Sequence, residues 1–259
     1  MDTLNITSNK SLRTRLNANQ AFGDFDFHAW VYKHYAFAPA MDVLDVGCGN
    51  GAQVIEALKR LGPDGSITAL DLSSESIAQL ITSSAAPANL QAEVGDMREL
   101  ARLIAERFRV KRYDLAHSTY ALFYAKDHLP VLEAMRSALK SCARMIVTSP
   151  VGPNGLRKLV NRLGFATPEL DPIDQFGSHV LEPYFRSAFP RFDIQIGRNM
   201  LRIPSAEAFL ALYRSTAYYF PEAEDPLLQI VRSEIASHGH FAFEKNAYMI
   251  IGYNDVRMR

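Results

Sequence analysis

Cysteine is almost missing from this chain: Cys48 and Cys142 are the two among 259 residues. Two cysteines build neither a disulfide framework nor a zinc cluster. Their scarcity suits a reducing compartment, and a cytoplasmic location is expected. A surplus of either charge is missing too, with 28 Lys plus Arg against 28 Asp plus Glu. No overall field therefore draws nucleic acid or an anionic membrane surface. The densest basic run, "RFRVKR" at Arg107–Arg112, is short and reads as a solvated helix end. No apolar run approaches the roughly 18 residues that a membrane-spanning helix needs. The N-terminal stretch "MDTLNITSNKSLRTRLNANQ" has no apolar centre of signal-peptide type, so the acceptor triplet at Asn5 carries no glycosylation meaning. Internal repeats, low-complexity tracts and a metal-binding triad are also lacking.

What is present is a soluble globular composition, 48% hydrophobic and 22% charged. Up to about residue 150, short apolar strands alternate with helical patterns. Strands are expected at Asp42–Val46, Ser66–Leu72, Asn89–Val94, Arg112–His117 and Ala143–Thr148. Between the first two, Val54, Leu58 and Leu61 form one helical stripe that Gly62 can close with a left-handed cap. Serines from Ser73 can cap the next helix. "DMRE" at Asp96–Glu99 reads as a capping box, with Glu99 reaching back to Asp96. This rhythm predicts an α/β fold, a mostly parallel sheet with helices on both faces. Beyond Pro150 the rhythm changes. A Pro- and Gly-rich region to Pro190 precedes a strand at Arg191–Met200, a helix at Ser205–Thr216 and a helix capped by Asp225. One long final strand is expected at Phe241–Tyr253. The expected division is an aromatic N-terminal segment (1–40), a ligand-binding core (41–150) and a part that completes the sheet and adds helices (151–259).

The most informative stretch is "VLDVGCGNGAQ", Val43–Gln53. A glycine-rich turn between strand and helix brings backbone N–H groups close to a ligand at the helix N-terminus. Asp71 ends the second strand, where a carboxylate can accept both hydroxyls of a ribose. Asp96 follows the third strand, where it can accept an adenine amine while Met97 covers a ring face. Gly47, Gly49 and Ala52 also satisfy the dinucleotide pattern G-x-G-x-x-G/A. Asp45 separates the two cofactor classes. A buried acid opposes a pyrophosphate, but it suits the ammonium and sulfonium of S-adenosylmethionine.

"VLDVGCGNG" resembles motif I of the class I S-adenosylmethionine-dependent methyltransferases. "ALDLS" around Asp71, "GDM" at Gly95–Met97 and "YDLAHSTYALFY" from Tyr113 resemble their later motifs, in order, across Ala40–Pro150. The resemblance implies a Rossmann-like seven-stranded, mostly parallel sheet with an antiparallel last strand, plus helical lid elements. It implies S-adenosyl-L-methionine as cofactor and S-adenosyl-L-homocysteine as product. The cofactor-binding set it implies is Asp45, Gly47, Cys48, Gly49, Gly51, Asp71, Leu72, Asp96, Met97 and His117. Asp114 is expected to tie the fourth strand to its neighbours.

For the acceptor, His117 and Tyr120 are the catalytic candidates, His117 as a base for a hydroxyl or amine. Asp127 and His128 form a second pair that reads as a solvated loop. Trp30, Tyr120, Tyr124 and Tyr213 are the candidate substrate contacts. The aromatic segments Phe22–Phe37 and Tyr213–Phe220 are expected to form a lid over a small, partly apolar substrate. "HSTY" replaces the Asn/Asp-Pro-Pro-aromatic signature of many base-amine methyltransferases, so no nucleic-acid substrate is expected. Three functions stay open: in-line methyl transfer to O, N or C of a small molecule, methylation of protein or RNA, and cofactor binding without catalysis.

Overall fold

The computed structural model describes residues 9–255; Asn5 lies outside them. Its strands are β1 (Asp42–Val46), β2 (Ser66–Asp71), β3 (Leu90–Val94), β4 (Tyr113–Thr119), β5 (Leu139–Pro150), β6 (Arg191–Gly197), β7 (Met200–Ile203), β8 (Phe241–Glu244) and β9 (Ala247–Tyr253). The helices are α1 (Asn9–Phe22), α2 (Phe27–Tyr35), α3 (Ala52–Leu61), α4 (Ser74–Ser84), α5 (Leu100–Glu106) and α6 (Leu129–Ser137), then α7 (Gly155–Arg162), α8 (Asp171–Asp174), α9 (Glu182–Ala188), α10 (Ala206–Arg214) and α11 (Glu224–His238).

Seven strands form one sheet in the order β3-β2-β1-β4-β5-β9-β6. The pairs β1–β2, β1–β4, β2–β3 and β4–β5 are parallel. At the far end of β9, Asn254 N–H donates to Ala143 C=O near the start of β5 (2.9 Å), so β9 runs against β5. The strands are apolar because helices cover both faces; Val43, Leu44, Leu70, Leu115, Ile146 and Ile250 are all buried. Asp114 ties β4 to β1 as expected: its Oδ2 accepts from Asp42 N–H and from Lys140 Nζ, each at 2.8 Å.

Several local expectations change. The long final strand breaks at Lys245–Asn246, and β8 pairs antiparallel with β7 in a separate two-stranded sheet. The expected strand from Arg191 breaks likewise, at Arg198–Asn199. The two breaks hold each other: Lys245 N–H donates to Asn199 C=O (2.9 Å) and Asn199 N–H to Asn246 Oδ1 (3.0 Å). Gly62 has φ 67 and ψ −171, not the left-handed cap. Glu99 pairs with Arg102 instead of reaching back, while Asp96 does cap, accepting from Arg98 N–H at 2.9 Å. The last long helix begins at Glu224, so Asp225 lies in its first turn. The basic run ties down the start of β3 and the end of α5: Arg109 donates to the carbonyls of Ala88 and Leu90, and Lys111 to those of Ile104 and Ala105.

The chain divides into two compact units. Among the described residues, one holds the seven-stranded sheet and is built from 28–150, 175–196 and 248–255. The other comprises 9–27, 151–174 and 197–247. It has its own core, including Leu156, Leu201, Phe209, Tyr213, Leu227 and Phe243. The expected aromatic segment 1–40 is therefore split. α1 belongs to the helical unit, while nearly all of α2 belongs to the sheet unit, where Val31 and Tyr35 are fully buried.

Candidate active site at the carboxyl ends of β1, β2 and β4

Sheet order reverses between β1 and β4, and open α/β sheets bind ligands at such a point. Asp45 and His117 are register partners across these two strands. Asp45 is 1% exposed and His117 0%. Oδ1 of Asp45 lies 3.5 Å from Nδ1 of His117. Neither carboxylate oxygen of Asp45 has a hydrogen-bond partner. Burial, with the nearby charge of Asp71, raises this carboxyl well above the ordinary range. Burial lowers His117 to about 3, so its imidazole is neutral. The Tyr35 ring packs on it at 4.4 Å and Phe37 at 6.2 Å. Tyr35 hydroxyl bonds Thr119 Oγ1, locking α2 to β4. His117 is thus neutral as a base should be, but its ring is enclosed.

The glycine turn follows β1. Gly47 and Cys48 N–H groups donate to Leu70 C=O (2.7 and 3.1 Å), which pins the turn to β2. At Gly51, with φ 86, a Cβ would stand 2.3 Å from Leu80 Cδ1 of α4. The residue admits α4 at close range in a conformation that other residues resist. Gly49 faces open space where its Cβ would be. Cys48 is buried, and burial with Asp45 and Asp71 raises its thiol well above the ordinary range, an inert packing role.

Asp71 accepts from Gly49 N–H through Oδ2 (2.8 Å) and from Ser73 N–H through Oδ1 (2.9 Å). One carboxylate so joins the glycine turn to the start of α4. Leu72 beside it is 70% exposed, a bare apolar side chain at the sheet's edge. Asp96 binds Arg98 through both oxygens, and this guanidinium holds its carboxyl below the usual range. Met97 Cε lies 3.6 Å from the place of a Cβ on Gly47, so Met97 and the turn adjoin.

Past β4 the chain turns sharply. Tyr120 has φ 56, a costly conformation for a bulky residue, and its N–H donates to Thr148 C=O (2.9 Å). Burial raises its phenol, which stays protonated. Phe123 lies 6.2 Å from Tyr120, 4.5 Å from Tyr124 and 6.2 Å from Phe176. Phe176 in turn meets His128 at 4.7 Å. Tyr124 is 50% exposed. Trp30 packs edge-on to His34 in α2 (5.4 Å). Tyr213 lies in the core of the helical unit, stacked on Phe209, and its hydroxyl donates to Phe220 C=O (3.2 Å). The sequence places Tyr35 among the aromatics of the lid segment without giving it a partner, and Thr119, Phe123 and Phe176 carry no separate signal. For Tyr35 the signal was its i+4 spacing from Val31; Phe176 sits in an irregular stretch that gave none.

An orphaned buried carboxyl, a turn with open space at Gly49 and an exposed Leu72 fit a ligand with a cationic end and a flat apolar end. The fold is that of the class I S-adenosylmethionine-dependent methyltransferases. A family model described as a methyltransferase domain matches residues 38–170, and the chain belongs to that family. Among curated proteins it is 28% identical over 123 residues to nocamycin O-methyltransferase of Saccharothrix syringae, covering 46% of this chain and 41% of that protein. It is 24% identical over 135 residues to aklanonic acid methyltransferase DauC of Streptomyces sp. (strain C5), covering 51% and 55%. The chain thus spans about half the length of these curated relatives. Among solved structures, the YcgJ protein of Bacillus subtilis superposes with a TM-score of 0.55 at 14% identity, over 87% of this chain and 96% of that one. The [4+2]-cyclase SpnF superposes with a TM-score of 0.51 at 14% identity, over 86% and 79%. At these identities the likeness is one of fold.

Proposed function

We propose that this chain transfers a methyl group from S-adenosyl-L-methionine to an oxygen of a small molecule, by in-line displacement, leaving S-adenosyl-L-homocysteine. The observation that carries the reading is the buried, unpartnered carboxyl of Asp45 beside a glycine turn held by Asp71. Asp71 has lone pairs left for ribose hydroxyls. Leu72 and Met97 offer apolar surface to an adenine, and Asp96 an acceptor for its amine that it must share with Arg98. Gly47, Cys48, Gly49 and Gly51 shape the turn. The bound cofactor supplies a methyl on a sulfonium, an electrophile reactive enough that alignment of the acceptor matters most.

Oxygen is favoured because the two curated relatives are named for an O-methylation and for an acid substrate. An acceptor that arrives as a carboxylate needs no base, which suits the enclosed His117. Tyr120, its proton retained, serves as a hydrogen-bond donor that orients the acceptor. Trp30 and Tyr124 offer ring surface for it. Tyr213 contributes to packing of the helical unit. The alternative is cofactor binding without methyl transfer, since a fold that is shared with a [4+2]-cyclase does not by itself fix the chemistry.

The test is incubation with methyl-labelled cofactor and a metabolite extract, with the labelled product identified by mass spectrometry. A labelled ester or ether supports the proposal. Label confined to protein or RNA would replace the acceptor class. Cofactor binding with no labelled product from any fraction would favour the second reading.

A further inference from the structure

Asp45 and His117 present a problem that the fold leaves unsolved. Both are fully enclosed, and neither carboxylate oxygen nor either ring nitrogen has a hydrogen-bond partner. Across 3.5 Å they face each other. Asp71 on β2 acts on this carboxyl, whose own charge acts on the Cys48 thiol in the glycine turn and on the Tyr35 phenol of α2. None of these is a cation. A bare carboxylate in such a place, with the charge of Asp71 nearby, is strongly disfavoured. So is a lone imidazolium. The pair is at its lowest cost when it carries one proton and no net charge, whichever atom holds it.

We propose that His117 is a positioning residue for cofactor capture: it shares one proton with Asp45 in the free protein, and that proton leaves to solvent when the cationic methionine end of S-adenosyl-L-methionine settles against the carboxylate. The inference rests on the cofactor reading above. The balance is simple. The bond to the shared proton breaks, the electron pair stays with the Asp45–His117 pair, and the buffer takes the proton. When the product departs, the pair takes one proton back. The rings of Tyr35 and Phe37 pack on the buried imidazole at 4.4 and 6.2 Å.

Calorimetric titration of the full chain with S-adenosyl-L-methionine tests this. It is run at about pH 6, where the ligand's own amino group remains protonated, in two buffers of different ionisation enthalpy. Wild type should release close to one proton per cofactor bound. Asp45→Asn should bind about tenfold more weakly or worse, with no proton released. His117→Phe keeps a ring against Tyr35 but removes the polar partner of the ionised carboxylate. The midpoint of its affinity–pH profile should rise by about one pH unit. An unmoved midpoint would mean that His117 only fills space, and would overturn its role. Should that variant not fold, His117→Leu takes its place with the same reading of the midpoint, while wild type and Asp45→Asn decide the proton release. Binding without proton release, or release that persists in Asp45→Asn, overturns the proposal and leaves the cofactor reading intact. Absence of binding by wild type at every pH overturns both.

Discussion

Asp71 carries two tasks with one carboxylate. It holds Gly49 N–H and Ser73 N–H in the free protein, and the cofactor reading gives it the ribose as well. Asp71→Ala should therefore cost more than a ribose contact. Loss of charge-assisted hydrogen bonds should weaken cofactor binding by about 1.5–3 kcal/mol, and the glycine turn should loosen. Calorimetry reads the first effect, and amide exchange at Gly49 the second. Unchanged exchange would mean that the Leu70 carbonyl bonds suffice to hold the turn. Gly51 is a separate matter, being steric. A methyl there would stand 2.3 Å from Leu80 Cδ1, at φ 86. Gly51→Ala should destabilise by about 1–3 kcal/mol, read as a lower urea midpoint. An unaffected midpoint would show that α4 can retreat.

Among the elements, α2 bears most directly on the site. Its aromatic residues suggest a lid element, and Tyr35 among them packs on His117. Its hydroxyl bond to Thr119 couples helix and strand. Tyr35→Phe should cost about 1 kcal/mol through that bond alone, with packing on His117 retained. A stability loss several times larger would show that the hydroxyl serves a wider network. The break between β8 and β9 holds an ammonium disfavoured by its surroundings. Lys245 Nζ donates to Asn19 Oδ1 at 3.0 Å, and burial with the charge of Arg15 lowers its ammonium to about 8. The unfolded ammonium binds its proton more tightly, so the fold loses stability as pH falls from the unfolded pKa of about 10.4 through the folded one. Lys245→Met should therefore raise the Tm at neutral pH, and the gain should shrink as pH approaches about 10. Thermal scans at several pH values check the slope; a gain that is flat across pH would put the effect down to packing.

For the whole molecule, two compact units share one chain that crosses between them at residues 27, 150, 174, 196 and 247. The candidate cofactor residues all lie in the sheet unit. Saturation with S-adenosyl-L-homocysteine at about 100 times its Kd should stabilise that unit by about 2.7 kcal/mol. If the units unfold separately, the helical unit's transition should stay in place while the other moves. A scan with probes in each unit, Trp30 fluorescence for the sheet unit among them, distinguishes this from joint unfolding. Coincident shifts of both transitions would show that the units unfold together.

The parallel core was legible because its signals are local. β1 matches its expected bounds and the stripe of Val54, Leu58 and Leu61 lies within α3, since apolar runs, helical stripes and glycine turns act within a few residues. The cofactor motifs were legible for the same reason, each sitting at a strand end. What the sequence by itself determined is the ordered set of strand, glycine turn and acid that makes a class I core. The tertiary structure decided the rest through contacts between distant segments. It broke Phe241–Tyr253 into strands of two sheets, because Lys245 and Asn246 bond to Asn199 across the chain. It turned Tyr213 into a core residue by stacking it on Phe209. It also set His117 beside Asp45 under Tyr35, enclosing the imidazole in a buried pair. Periodicity cannot report such a change, because burial belongs to what folds over a residue and not to the residue's own neighbours in sequence.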